Sequence, residues 1–142
     1  MELLILAIGR RLPPALDELC DQWSRRVTGP WSLRRDVCRD KPTQWTRAQA
    51  HGGAVVFLDE RGTQLDSREL AGWLTDLREH GRRRAAFLVG DAHGYDDDDR
   101  RRAERTLALS RLTLPHRLAQ VLLVEQLYRA VTIVTGHPYH HD

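Results

Sequence analysis

The sequence of 142 residues is poor in the features that stabilise secreted or membrane-bound proteins. It has only two cysteines, and Cys20 and Cys38 lack C-x-x-C spacing, so we expect both thiols to be free in a reducing compartment. No apolar run approaches the roughly 20 residues that a membrane-spanning helix needs. Met1 to Ile8 is too short for the core of a signal peptide. These absences predict a cytoplasmic protein with no membrane partner.

Lysine is almost absent as well, because Lys41 is the only lysine among 22 basic residues. The net charge is +2, so the chain is only mildly basic. The planar guanidinium of arginine suits phosphate groups better than an ammonium does. The arginine content is therefore compatible with RNA binding, although coding bias in a GC-rich genome would produce the same ratio. Neither G-x-G-x-x-G nor a Walker loop is present, so the common nucleotide-binding motifs are missing.

The chain does contain short apolar runs that alternate with segments of helical periodicity. The predicted strands are Glu2–Ile8, Trp31–Cys38, Ala54–Leu58, Arg84–Val89 and Ala108–Leu114. The predicted helices are 13–27, a short one within 39–53, one from Asp66 or Ser67 to near Gly81, one from about Asp97, and His116–Thr135. Asp59 to Gly62 predicts a turn. Strands that are apolar throughout and alternate with helices indicate an α/β fold, with a mostly parallel sheet covered on both faces. We expect one domain over residues 1–142.

Ligands of such sheets bind beyond the carboxyl ends of the strands, which directs attention to the residues from Leu58, Gly90 and Leu114 onward. Gly90 and Gly94 flank Asp91 in a segment that suits close approach to a ligand, but a plain strand-to-helix turn has the same composition. The segment from Ala108 to His116 exposes backbone groups that can bind an adenine edge. Chemistry alone leaves both segments ambiguous.

The last residues contain three histidines in a stretch of five, His137, His140 and His141. A metal site is one interpretation, yet no distant cysteine or acidic cluster completes it, so we expect no metal. The other interpretation is a polar tail folded over a pocket, where histidine titrates near neutral pH.

Two further charged segments have simple structural explanations. The run of four carboxylates from Asp96 to Asp99 predicts a helix cap, and the following arginines, 100–102, either pair with these acids or face a phosphate. Glu125 and Arg129 are spaced for a salt bridge on one helix face. That helix is apolar on more than one side, which predicts a subunit interface.

Three C-terminal segments together resemble one known family: Leu112–His116 (LTLPH), Val124–Ala130 (VEQLYRA) and His137–His140 (HPYH). They are similar to the ribosomal RNA large subunit methyltransferase H family of the SPOUT superfamily. The opening run Leu4–Gly9 and the block Phe57-Leu58-Asp59 with Gly62 also fit, so the resemblance extends over the whole chain.

The resemblance implies a methyltransferase that uses S-adenosyl-L-methionine to methylate N3 of a pseudouridine in 23S rRNA of the assembled ribosome. It also implies a C-terminal deep trefoil knot that holds the cofactor, and a homodimer formed through the knotted region. By the resemblance, the cofactor-binding residues are Leu58, Gly90, Leu109, Ser110, Arg111, Leu112, Thr113 and Leu114. By the same resemblance, the catalytic residues at the mouth of the pocket are Arg129, His137, Tyr139 and His140.

Asp91 departs from the family pattern, which usually has a second glycine after Gly90. A carboxylate there would either attract the sulfonium of the cofactor or repel its methionine carboxylate. For the reaction, our hypothesis is that His140 or His137 assists removal of the imide proton, while Arg129 stabilises negative charge. Two other functions stay open: methylation of a different RNA or small molecule by a SPOUT relative, and a non-catalytic RNA-binding module.

Overall fold

The computed structural model describes the whole chain, residues 1–142. The elements are β1 (Glu2–Ile8), α1 (Pro14–Arg26), β2 (Ser32–Cys38), α2 (Lys41–His51), β3 (Ala54–Gln64), α3 (Ser67–Glu79), β4 (Arg84–Val89), α4 (Asp97–Arg102), β5 (Arg105–Ala108) and α5 (His116–Thr135). The predicted alternation of strands and helices is therefore confirmed, and the bounds of β1, β4 and α5 are those expected from the sequence.

The five strands form one sheet in the order β2-β1-β4-β3-β5, and every neighbouring pair is parallel. Helices α1, α3 and α5 pack together on one face, while α2 packs against β1 and β4 from the other face. This is the arrangement that right-handed crossovers between parallel strands produce. The predicted α/β fold with a covered parallel sheet is confirmed.

The position of β1 inside the sheet explains why the first residues form an unbroken apolar run. Leu3 and Ile5 face the core under α1, α3 and α5, whereas Leu4 and Leu6 face the smaller core under α2. Alternate side chains of a strand point to opposite faces, so a strand buried on both faces must be apolar throughout. Full burial of each of these side chains contributes about 1.5–3 kcal/mol.

The helix starts follow the local capping chemistry that the sequence predicts. Asp66 accepts a hydrogen bond of 2.7 Å from the backbone N–H of Glu69 and so caps α3. Asp96 caps α4 in the same way through the N–H of Asp99 at 2.8 Å. The arginines of α4 each pair with an aspartate three residues earlier, which confirms that the acidic and basic runs neutralise each other. Both cysteines are free and buried, as expected.

The predicted turn at Asp59–Gly62 is wrong, because β3 continues through it to Gln64. Strand β5 pairs with β3 on both sides of a bulge, and Leu107 is the partner of both Leu58 and Thr63. A Cβ on Gly62 would lie 2.7 Å from the backbone of Leu107, so this close approach requires glycine. The residues that favour a turn therefore form a bulge within β3.

The predicted strand Ala108–Leu114 is also wrong, because β5 ends at Ala108. Its partner β3 ends at Gln64, opposite Ala108, so no strand remains with which the next residues can pair. Residues 109–114 instead form a loop without any backbone–backbone hydrogen bond, and Ser110 Oγ accepts the N–H of Leu112 at 2.9 Å. The loop leads through Pro115 into α5.

Helix α5 ends in a left-handed Gly136, and the N–H of His137 donates to the carbonyl of Thr132 at 2.9 Å. By length and composition alone this helix is able to cross a membrane, but half of its most apolar stretch is buried within the domain, as in ordinary core helices. Leu118 and Leu122 are its large exposed apolar side chains, at 46% and 43% exposure. They form an uncovered apolar stripe one helical turn apart.

Candidate functional site

A cavity of about 850 Å³ opens at the carboxyl ends of β3, β4 and β5. Its wall includes Leu58 at the bulge of β3 and Gly90 directly after β4. The loop after β5 adds Leu109, Ser110, Leu112, Thr113 and Leu114. The structure therefore brings together the three strand ends that the sequence singles out. Arg111 is the one predicted cofactor residue outside the lining; it is exposed.

The loop over residues 109–114 gives the cavity both apolar surface and free polar groups. Leu109 and Leu114 are partly buried, while Leu112 is 74% exposed, an unusual state for a large apolar side chain. These residues make no backbone–backbone hydrogen bonds, and of their backbone groups the Leu112 N–H is bonded to Ser110 Oγ. The other N–H groups and the C=O groups are available to a ligand. Such a wall suits a planar heterocycle that needs an apolar face and hydrogen bonds along one edge.

The opposite wall depends on a close contact between Gly90 and Tyr95. A Cβ on Gly90 would lie 3.2 Å from the Tyr95 ring, so even a methyl group would crowd the ring. Tyr95 is buried and stacks on Phe57 with ring centroids 4.4 Å apart. Its hydroxyl donates to Gln44 Oε1 at 2.9 Å. Burial raises the pKa of Tyr95 far above its ordinary value, so the phenol remains a neutral donor.

Gln44 and Tyr95 were not predicted as site residues. Gln44 lies on α2 and is 1% exposed. Its Nε2 donates to the carbonyls of Leu6 and Val89 at 2.7 and 3.1 Å. The only sequence signal was a polar residue on a weakly amphipathic helix, and nothing in the sequence pairs it with a tyrosine 51 positions later.

Charged side chains surround the cavity entrance, and Arg100 organises several of them. Its Nε donates to Asp59 at 2.8 Å, one of its terminal nitrogens donates to Asp97 at 2.7 Å, and the other donates to the carbonyl of Tyr95 at 2.6 Å. Asp59 is 5% exposed, so its carboxylate depends on this partner. Through its hydrogen bonds to Tyr95 and Asp59, Arg100 links the segment after Gly90 to the bulge of β3.

The C-terminal tail forms a second cluster over α5. The Tyr139 hydroxyl and Arg129 Nε both donate to Glu125 Oε1 at 3.0 Å, which confirms the predicted salt bridge between Glu125 and Arg129. Burial and the Glu125 carboxylate raise the pKa of Tyr139. Arg129 also contacts His140 Nδ1 at 3.2 Å. Three of the four predicted catalytic residues therefore form one cluster: Arg129 and Tyr139 contact the Glu125 carboxylate, and His140 contacts Arg129.

The contacts of His140 determine its tautomer. A guanidinium only donates hydrogen bonds, so Nδ1 of His140 accepts from Arg129, and the proton of the neutral ring is on Nε2. Nε2 then donates to Asp142 at 3.0 Å. Arg68 and His140 hold the pKa of Asp142 down at about 2. His137 is exposed, and its ring makes no hydrogen bond within the chain.

The tail cluster does not line the cavity of its own chain. His116 and Ala119 at the start of α5 border the cavity, and Arg129 lies about 15 Å beyond Ala119 along the helix axis. The predicted cofactor residues and the predicted catalytic residues therefore occupy two separate places in one chain.

A parallel α/β domain with a ligand-sized cavity at its strand ends belongs to the class of α/β enzymes whose active sites lie in strand-end loops. Residues 1–140 match the family model described as predicted SPOUT methyltransferase. The chain belongs to this SPOUT methyltransferase family, and the predicted family is confirmed.

Individual relatives agree with the family assignment. The chain is 40% identical over 157 residues, covering all of both chains, to a protein of Thiobacillus denitrificans named ribosomal RNA large subunit methyltransferase H. It is 39% identical to the protein of the same name from Gloeobacter violaceus, with 99% of each chain covered. The predicted methyltransferase activity is thus supported over the full length of the chain.

Solved structures of similar fold are also methyltransferases by name. A probable methylase family protein from Haemophilus influenzae superimposes with a TM-score of 0.64 at 12% identity, covering 99% of this chain and 70% of that one. A probable methyltransferase from Bordetella pertussis gives a TM-score of 0.57 at 12% identity, covering 92% and 95%. At such low identity the likeness concerns the fold alone.

Proposed function

We propose that this protein is a cytoplasmic, S-adenosyl-L-methionine-dependent methyltransferase that modifies N3 of a pseudouridine in 23S rRNA of the assembled ribosome. The observation that supports it most is the cavity that the three strand-end loops form together, in a chain 40% identical to a full-length ribosomal RNA large subunit methyltransferase H. We propose further that residues 1–142 act as one domain with a C-terminal trefoil knot, as the family resemblance implies.

The lining residues fit S-adenosyl-L-methionine in size and chemistry. Drug-sized ligands occupy pockets of about 300–1,000 Å³, and the cavity of about 850 Å³ lies within that range. Leu109, Leu112 and Leu114 provide apolar surface for the adenine. Apart from the Leu112 N–H, which donates to Ser110, the backbone groups of residues 109–114 provide partners for its edge. Leu58 and Gly90 complete the wall, and Arg111 lies outside it. When bound, the cofactor supplies an electrophilic methyl group on a sulfonium.

The protein residues must align the target base with the methyl group and remove the imide proton of the base. Of the two predicted histidines, His140 has its acceptor nitrogen occupied by Arg129, whereas the ring of His137 is free. We therefore assign proton removal to His137 and stabilisation of the anionic base to Arg129. Tyr139 and His140 orient the guanidinium, since both contact Arg129 or its partner Glu125.

These roles require a second subunit, because in one chain Arg129 lies about 15 Å along α5 from Ala119, the last cavity-lining residue of that helix. The exposed stripe of Leu118 and Leu122 is an apolar surface suited to a homodimer. A two-fold axis through this stripe, with the two α5 helices antiparallel, would direct the tail of each subunit toward the loop that precedes α5 in the other. The partner subunit's Arg129 would then lie near the cavity.

A methylation assay tests the proposal directly. Purified protein is mixed with labelled S-adenosyl-L-methionine and 70S ribosomes, 50S subunits or free 23S rRNA, and the rRNA is digested for mass spectrometry. We expect methyl-pseudouridine in the 70S sample, and its loss from rRNA of cells lacking the gene. Cofactor binding without methylation of any rRNA would indicate a relative with another substrate. No binding at millimolar cofactor would indicate a non-catalytic RNA-binding module.

A further inference from the structure

The charge of the cavity differs from that of the whole chain. The chain has a net charge of +2, yet the charged residues that line the cavity are mostly acidic: Asp59, Glu60, Asp91, Asp96 and Asp97 against Arg61 and Arg100. An acidic cavity repels the phosphates of RNA and attracts cations. The lining therefore favours a small cationic ligand over any part of a nucleic acid backbone.

Most of these carboxylates already have a partner within the chain. Asp59 and Asp97 both accept from Arg100, and Asp96 accepts from the first turn of α4. Glu60 and Asp91 form no ion pair, and Glu60 is exposed with only a 3.5 Å hydrogen bond from Thr113. Asp91 therefore provides the half-buried, uncompensated negative charge of the cavity wall.

The backbone contact of Asp91 uses only one of its two oxygens. Oδ1 accepts the N–H of His93 at 2.9 Å in an Asx turn, while Oδ2 makes no hydrogen bond within the chain. An asparagine would form the same turn without the charge. Turn formation therefore accounts for a small polar residue at position 91, and the second oxygen remains available to a ligand.

We infer that Asp91 is a specificity-determining residue that makes the cavity prefer the cationic methyl donor to its neutral product, S-adenosylhomocysteine. This inference rests on the proposed cofactor. In methyl transfer, the electrons of the sulfur–methyl bond stay on sulfur, which becomes a neutral thioether, and the nitrogen lone pair forms the new bond. Donor and product otherwise carry the same charged groups. A fixed carboxylate near the sulfur therefore stabilises only the donor, and each turnover weakens binding and promotes product release.

The attraction between unit charges across a partly solvated cavity is strong enough to be measured. We expect it to contribute about a tenfold preference, equivalent to about 1.4 kcal/mol, for the donor over the product. Glu60 strengthens the same field to a smaller extent because it is exposed to solvent.

Calorimetric titration of Asp91→Asn tests the inference with three ligands: S-adenosyl-L-methionine, S-adenosylhomocysteine, and sinefungin, which has an amine in place of the sulfonium. We expect the variant to bind both cationic ligands about tenfold more weakly and S-adenosylhomocysteine no more weakly than wild type. Asp98→Asn is the matched control, because Asp98 pairs with Arg101 outside the cavity. It should leave all three affinities unchanged.

The outcomes separate this inference from the proposed function. If wild-type protein binds none of the three ligands at millimolar concentration, the cofactor itself is wrong. If wild type binds them but Asp91→Asn leaves all affinities unchanged, or weakens all three equally, Asp91 does not distinguish donor from product and the inference is overturned.

Discussion

The hydroxyl of Tyr95 donates a 2.9 Å hydrogen bond to the side-chain oxygen of Gln44, and both side chains are buried. The amide nitrogen of Gln44 donates to the carbonyls of Leu6 in β1 and of Val89 at the end of β4. One side chain of α2 thus connects two strands to the segment that follows Gly90. The part of the cavity wall that contains Tyr95 is therefore anchored by α2, on the face of the sheet opposite α1, α3 and α5.

Tyr95→Phe should weaken this connection while preserving the ring stack on Phe57. The substitution leaves Gln44 Oε1 buried without a donor, so we expect the free energy of unfolding to fall by about 1–2 kcal/mol. Affinity for S-adenosyl-L-methionine should also fall, because the ring that contacts Gly90 loses its anchor. Urea denaturation measures the first effect and calorimetry the second.

The double variant Gln44→Leu, Tyr95→Phe provides the control. If the hydrogen bond couples the two residues, the double variant should be less destabilised than the sum of the single variants, by about 0.5–3 kcal/mol. Strict additivity would contradict a direct energetic link between α2 and the cavity wall.

The elements that were predicted correctly are those whose signals are local. Strand β1 is apolar throughout, Asp66 caps α3, and α5 lies between Pro115 and Gly136. Each of these depends on a few neighbouring residues. The two errors, the turn at 59–62 and the strand at 108–114, both arise from pairing between β3 and β5. A strand ends where its partner strand ends, so the position of its end cannot be predicted from its own residues alone.

The candidate site also contains some features that the sequence predicts and others that depend on contacts between distant segments. The three strand-end loops were predicted, because parallel strands place their carboxyl ends at one edge of the sheet. Gln44, Tyr95 and Arg100 were missed as site residues, because their roles follow from burial and from contacts between distant segments. The resemblance supplied the tail residues, but only the structure reveals that one chain separates them from its cavity.

Asp99 should make the stability of the protein depend on pH. Its carboxylate accepts from Lys41 at 2.9 Å, Arg102 at 2.7 Å and the N–H of Asp96 at 3.0 Å. Burial opposes ionisation, but these donors prevail and lower the pKa of Asp99 to about 2. Since the unfolded carboxyl titrates near 3.9, the ionised form stabilises the native state above about pH 4, by about 2 kcal/mol. This contribution is lost as the pH falls to about 2.

Urea unfolding of Asp99→Asn and wild type at several pH values checks this. We expect a difference of about 2 kcal/mol at pH 7 that shrinks below about pH 4, where the wild-type carboxylate becomes protonated. The exposed Asp98→Asn variant should follow the wild-type curve. A difference that stays constant down to pH 2 would mean that the charge of Asp99 is not responsible.

Two glycines should respond to alanine in opposite directions. In Gly62→Ala the new Cβ would meet the backbone of β5 at 2.7 Å, so the bulge must open and the variant should lose about 2–3 kcal/mol. Gly72 lies in α3 with nothing within 4 Å of a Cβ, so Gly72→Ala should gain up to about 1 kcal/mol. Thermal unfolding of both variants decides the matter. If Gly62→Ala melts at the same temperature as wild type, the β3–β5 bulge tolerates a side chain.

Mixed dimers should reveal whether the tail acts on the partner's cavity. Gly90→Val crowds the Tyr95 ring and should block the cavity, whereas Arg129→Ala with His137→Ala removes the tail groups. Each variant alone should be inactive. Only the tail variant should bind S-adenosyl-L-methionine, and size-exclusion chromatography confirms that both form dimers. Co-expression with two different tags then isolates the mixed dimer.

In the mixed dimer, one subunit has an intact cavity and the other has an intact tail. If the tail completes the partner's site, these two meet and one working site per dimer is restored, so methylation should rise well above that of either parent. If the tail serves its own cavity, every site lacks one component and the mixed dimer stays inactive. That result would overturn the shared-site arrangement, and would require the tail groups to cross the roughly 15 Å of α5 that separates Arg129 from Ala119 at the cavity of the same chain.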